Sequence, residues 1–259
     1  MRAAWILVLW GLAWIGPVRF VWAEEGEIEI SQATALAGGP TDPASFPVVI
    51  EAPGRYVLTS SLDLTAVADP ANTDAINIDA NDVTLDLNGF RILGSTDCSG
   101  LPDSPCTGTG SGVGIRSNMR VGTAVQNGTV RVMGDAGVNL ETSHASRIKG
   151  IRAYSNGGYG IWADGSAFVG GCVVLQNGQT GISAGRGEVR ENVASLNGGA
   201  GVEGQSVVQR DVMFLNGGFG LLGGTTYAEN LISLNSQDGV QVSGIPLPAG
   251  PNDCAYNAA

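Results

Sequence analysis

The chain carries one histidine, His144, and one lysine, Lys149, among its 259 residues. Such a shortage excludes a histidine-built zinc centre, and no His/Cys cluster has zinc spacing. EF-hand loops and calcium-binding nonapeptides are missing as well, so neither a metal nor a cofactor is expected. Cations of any kind are scarce. Thirteen Lys and Arg face 24 Asp and Glu, a net charge of −11. A surface of that sign repels phosphate backbones and argues against nucleic acid as a partner. His144 itself sits in a polar turn, ETSHAS, and reads as a solvated loop residue rather than a base.

Only one long apolar run exists, Ala3 to Val18, preceded by Arg2 and followed by Val21-Trp22-Ala23. A positive start, an apolar middle and a small-residue end predict a secretory leader over 1–23, cleaved after Ala23. The run is shorter than the ~20 residues a spanning helix needs, and Pro17 and Arg19 break it. Cleavage is therefore expected rather than anchoring, with no transmembrane segment afterwards. Loss of Arg2 and Arg19 leaves 11 basic against 24 acidic residues, a mature charge near −13. The expected location is periplasmic or extracellular.

What the chain has in abundance is glycine, 40 residues, much of it in register. From Arg147 to Val242 one short phrase is written five times: SNGGYGIWA, QNGQTGISA, LNGGAGVEG, LNGGFGLLG and LNSQDGVQV. The asparagines Asn156, Asn177, Asn197, Asn216 and Asn235 are spaced by 21, 20, 19 and 19 residues. Gly160, Gly181, Gly201, Gly220 and Gly239 follow four residues later, each before an aliphatic residue. Ile148, Val169, Val189, Val208 and Tyr227 come eight residues before. In-phase columns at a period near twenty mark a solenoid. Helical repeats need about 33 to 34 residues, and a leucine-spaced consensus is absent. Short Val- and Ile-rich runs joined by Asn-Gly and Gly-Gly turns predict a parallel β-helix with one coil per repeat. Like residues then stack about 4.7–4.9 Å apart, and the asparagines form an amide ladder. Left-handed backbone is expected at those asparagines and their glycines.

The phrases NVASLNGGAGV, DVMFLNGGFGL and NLISLNSQDGV resemble the right-handed parallel β-helix repeat proteins of the pectin-lyase-like superfamily, including NosD-like members. NDVTLDLNGFRILG, from Asn81 to Gly94, resembles the rung with which many of them open. The resemblance covers roughly residues 50–245. It implies an all-β right-handed parallel β-helix of about eight coils, and a polysaccharide, a glycan or a cell-surface component as partner. That superfamily spreads over lyases, hydrolases, epimerases and non-catalytic binders, so fold does not fix function.

Around the repeats, 24–53 reads as an entry segment covering the first coil, 54–243 as the solenoid and 244–259 as a tail. Residues 95–112 break the period with turn chemistry and carry Cys98 and Cys106. In an exported chain these two are expected to be bridged. Cys172 falls in the inward column of Ile151, Asn192, Asp211 and Asn230. Cys254 lies three coils further on, too far to reach it, so Cys172 reads as a buried small hydrophobe and Cys254 as a free thiol.

Chemistry is harder to find. Arg147-Ile148-Lys149 matches a polygalacturonase motif, but the Asn-Thr-Asp, Asp-Asp and Gly-His-Gly partners are missing. The Asp-Pro-His-Asp motif of alginate epimerases is missing too, and nothing pairs two carboxylates for glycosidase work. The catalytic residues are unknown, and a non-catalytic binder is favoured over a lyase, epimerase or hydrolase, or an adhesive surface protein. Gly150, Gly171, Glu191, Arg210 and Glu229 form one charged column. It is either an ion-pair ladder worth 0–1 kcal/mol per pair or, with Lys149, Arg152 and Arg190, a groove gripping a uronic-acid chain. A second stripe joins Arg152, Val173, Val193, Val212 and Leu231 to Tyr154, Leu175 and Phe214. It points outward as a sugar-stacking strip or, if a turn shifts the phase, partly inward as core. The candidate ligand residues are Lys149, Arg152, Arg190, Arg210, Tyr154 and Phe214.

Overall fold

A computed structural model describes residues 26–38, 44–98, 104–223, 226–235, 242–243 and 247–255. The leader and its cleavage site lie outside them, as do Gly239 and Val240. Every strand pairing is parallel, and the pairings sort into three columns that become three faces of a solenoid. The first face stacks Val48–Ile50, Ile76–Ile78, Ile115–Ser117, Val138–Leu140 and Ile161–Ala163. It continues through the starts of Ile182–Arg190 and Val202–Gln209 to Leu221–Leu222 and Val242–Ser243. Leu221 thus pairs with Val242, two residues beyond the position that the repeat alone assigns.

The second face runs from Ile28–Ile30 and Gly54–Leu58 through Arg147–Tyr154 to Leu247–Pro248. Ile148, Val169, Val189, Val208 and Tyr227 lie in register along it. The third face runs from Leu62–Asp63 to Asp253–Ala255. Alternation within each strand buries one lane and exposes the next. Ile161, Ile182, Val202 and Leu221 line the core from the first face, Val169, Val189 and Val208 from the second, and Val174, Met213 and Ile232 from the third. At the open N-terminal end the helix Gln32–Ala37, capped by the Ser31 side chain, adds Ala35 to this core.

The asparagine ladder is continuous and buried. Asn156 Nδ2 donates to Asn177 Oδ1 at 2.9 Å, and the same bond repeats to Asn197, Asn216 and Asn235 at 2.9, 2.9 and 2.8 Å. The Oδ1 atoms of Asn177, Asn197, Asn216 and Asn235 also accept the backbone N–H of the preceding asparagine, and that of Asn156 accepts the Met133 N–H. The left-handed residues are not the asparagines but those just before them: Ser155, Gln176, Leu196, Leu215 and Leu234, with φ of 54° or 55°. One left-handed residue turns the chain out of the third face and leaves the asparagine aimed inward. The glycine column answers to close approach instead. A Cβ on Gly160 would sit 2.6 Å from the Gly181 carbonyl oxygen and 2.8 Å from Asn177 Nδ2, inside van der Waals contact.

Cys98 and Cys106 are bridged, whereas Cys172 is free and buried and Cys254 free and exposed. The described part of 95–112 lies along the solenoid axis. Cys98 Sγ is 2.9 Å from the Ser155 carbonyl oxygen, and the Cys106 N–H donates to Gln176 O at 2.9 Å. Pro105 reaches Gly198 one coil further on. The loop therefore follows the corner between the third and first faces, beside the ladder.

Candidate functional site

The outward lane of the first face carries Asn77, Arg116, Asn139, Trp162, Ser183 and Glu203 on successive coils. Arg116 is already committed. Its Nε and Nη2 hold the two Asp74 oxygens at 2.7 and 3.0 Å, which keeps the guanidinium firmly charged. Tyr159 stands at the head of the coil that carries Trp162, with its ring 4.6 Å from that of Trp162 and tilted by 33°. Both rings are half-buried. Burial raises the Tyr159 hydroxyl, and the charges of Glu203, Asp135 and Glu141 raise it further. Burial likewise pushes the half-buried Asp135 carboxyl up, against the pull of Arg116. Glu203 is fixed by Thr180, whose hydroxyl donates to Oε2 at 3.0 Å. An aromatic pair thus sits among three carboxylates on a flat parallel sheet.

Where this face turns into the second, a groove of about 590 Å³ runs over four successive coils. Glu141, His144, Asp164, Arg186 and Gln205 line it above the glycines Gly165, Gly185 and Gly204. These glycines make the room. The His144 imidazole lies over Gly165, and the Asp164 carboxylate lies over Gly185, where a Cβ would overlap it. Each side chain leans one coil downstream, which brings His144 beside the Asp164–Gly165 segment. Its volume is in the range of small-ligand sites, about 300–1,000 Å³. Among the described residues, no three His, Cys, Asp or Glu side chains could hold a metal together.

The residues singled out from sequence lie elsewhere, around the corner between the second and third faces. Lys149 and Arg190 share a lane of the second face, on either side of Gly170. Arg190 pairs with Glu188 at 3.2 Å and stacks on the Phe168 ring at 4.9 Å, while Arg147 stacks on it at 4.7 Å. Arg210 occupies the corner, paired with Glu191 at 3.2 Å, both exposed and both left-handed. Stacked Glu and Arg therefore do form an ion pair there. Arg152, Tyr154 and Phe214 are on the third face, where Arg131 donates to the Tyr154 hydroxyl at 2.9 Å. The third-face strip points outward, with Ala153, Val174, Ala194, Met213 and Ile232 as the inward lane. The six do not converge on one site.

No protein-family model and no curated protein matches the chain. Two solved structures resemble it, both A-modules of mannuronan C-5 epimerases from Azotobacter vinelandii. AlgE4 is 16% identical over 84% of this chain and 70% of its own, with a TM-score of 0.39. AlgE6 is 14% identical over 90% and 86%, with a TM-score of 0.45. The parallel solenoid rests on the strand register rather than on either likeness.

Proposed function

We propose that this chain is an exported glycan-binding solenoid whose ligand lies along the first face, across Tyr159 and Trp162 and into the corner groove. The observation that carries the reading is the tilted Tyr159–Trp162 pair, set among hydrogen-bonding side chains on a sheet that repeats every coil. Sugar rings pack their C–H faces on such rings, while Ser183 and Glu203 offer partners for hydroxyls. The carboxylates disfavour a polyuronate here, since like charges brought together in a partly desolvated site are costly. A neutral glycan is the better match. The leader-like N-terminus and the disulfide support export.

Binding to immobilised neutral and acidic polysaccharides tests this. Trp162→Ala should weaken binding of a neutral glycan by about 1–3 kcal/mol, the scale of a lost aromatic contact, and Phe214→Ala should not. Loss with Phe214→Ala instead, or with Arg190→Ala and Arg210→Ala together, would move the site to the corner between the second and third faces. A second reading, catalysis, is favoured by one observation, His144 beside Asp164 in the groove. Turnover of any bound glycan that disappears in His144→Gln would establish it.

A further inference from the structure

A second, shorter ladder runs inside the corner between the second and third faces. Its members are Asn192, Asp211, Asn230 and Asn252, with Cys172 at its head. In each asparagine Nδ2 donates twice. One bond goes back to a carbonyl of the preceding coil: Val169 from Asn192 at 3.2 Å, Val208 from Asn230 at 3.0 Å and Tyr227 from Asn252 at 3.3 Å. The other goes forward to the next member's Oδ1 where one follows, at 2.8 Å from Asn192 and 3.1 Å from Asn230.

Asp211 breaks the pattern. Its Oδ1 does what an asparagine oxygen does, accepting Asn192 N at 2.7 Å and Asn192 Nδ2 at 2.8 Å. Its Oδ2, which stands where the others have a donor, is buried and has no partner. The positions equivalent to the two acceptors are the Val189 carbonyl, in register with Val208, and Asn230 Oδ1, which already takes the Asp211 N–H. Acceptors at those two positions repel an anionic oxygen, and water does not relieve a residue 1% exposed. A hydroxyl on Oδ2 would donate to one of them and complete the ladder.

We propose that Asp211 is a carboxylic acid in the folded chain, a proton-carrying rung, and that this proton couples the grip between the last coils to pH. Burial agrees, raising the carboxyl from the ordinary 3.8 to about 7 against the pull of the Asn192 donors and the Gln209 backbone, with a smaller push from the Glu191 charge. The other ionisable groups nearby are few. Glu191 and Glu229 hold the same corner on the coils before and after, and Arg210 precedes Asp211 and is paired with Glu191. The Cys172 thiol, pushed up to about 11, stays neutral throughout. Because the folded value lies above the unfolded one, the stabilisation is complete below about pH 4 and is lost as pH rises to about 7.

Urea unfolding of the wild-type chain and Asp211→Asn between pH 4 and pH 9 tests this. Asparagine restores the missing donor without a proton. Relative to Asp211→Asn, the wild-type unfolding constant should rise about tenfold for each pH unit across that window and then level off. Parallel pH profiles, or an Asp211→Asn chain less stable than wild type at pH 9, would overturn the proposal. Should Asp211→Asn not fold, the infrared carbonyl band of a protonated carboxyl in the wild type decides. The band should persist at pH 6 and fade through pH 7 to 8, and its absence at pH 6 would refute the assignment.

Discussion

A ladder asparagine in this chain makes bonds in two directions along the axis. Asn197 Oδ1 accepts from Asn177 N and Nδ2, and its Nδ2 donates to the Val174 carbonyl and to Asn216 Oδ1. Asn197→Ala therefore leaves the buried Asn177 N–H without its acceptor, at about 1–3 kcal/mol, and takes one bond each from Asn177 Nδ2, the Val174 carbonyl and Asn216 Oδ1. Asn235 accepts from Asn216 and gives Nδ2 to the carbonyls of Met213 and Ser233. Asn197→Ala is expected to lower the urea midpoint more than Asn235→Ala, and equal midpoints would show that the stack contributes nothing specific. The asparagines were legible in sequence because a column of one residue type at a constant period has few explanations. Their backbone was not. The left-handed turn falls on Ser155, Gln176 and the leucines, residues whose side chains say little about φ, because the corner needs the amide free to point inward.

Among elements, the disulfide loop shows how an insertion can serve the repeats it interrupts. It lies across three corners beside the ladder, held by the Cys106 N–H on Gln176 O and by the approach of Pro105 to Gly198. Closing a loop of sequence separation 8 removes unfolded-state freedom worth about 2–3 kcal/mol. Replacing both Cys98 and Cys106 by Ser should lower stability by that amount in urea, while leaving the far-ultraviolet spectrum of the sheet unchanged. Loss of the sheet signal would mean that the loop nucleates the coils. Cysteine content and the expected compartment made the bridge readable, but the course of the loop was not. Nothing local in 95–112 says which carbonyls its donors will meet. The first-face surface was missed for a related reason. Tyr159, Trp162, Glu203 and Asp164 are departures from the repeat, and a reading built on columns looks past positions where a column changes its residue. Gly165 and Gly185 were the available signal, since each is a glycine outside the Asn-Gly phrase with a large polar side chain folded over it.

At the scale of the molecule, three faces divide the labour. The first offers aromatic and acidic groups, the second pairs Arg190 with Glu188 and sets Arg147 and Arg190 on the Phe168 ring, and the third shows an apolar strip. A net charge of −11 spread over such a rod is compatible with a neutral polymer and unfavourable for an acidic one at long range. The division was only half visible beforehand. Alternation fixed which lane faces the core, but the assignment of Lys149 and Arg152 to different faces depends on a corner at Gly150, one residue wide.

The ladder bonds also share one sense. Every side-chain-to-side-chain bond of the ladder runs from Nδ2 of one coil to Oδ1 of the next, from Asn156 down to Asn235. Aligned amides add their dipoles, as peptide units do in a helix, and polarise one another. The rod thus has an electrical polarity independent of its charged residues, negative toward Asn156 and positive toward Asn235. A carboxylate should be tolerated at one pole and rejected at the other. Asn235→Asp places its charge at the positive end and keeps the bonds it accepts from Asn216, while its second oxygen replaces the donor to the Met213 and Ser233 carbonyls. Asn156→Asp sets a like charge at the negative end and turns an acceptor against Asn177 Oδ1. At pH 8 the second substitution should destabilise the chain in urea more than the first. Between the poles, a carboxyl is admitted only with a proton.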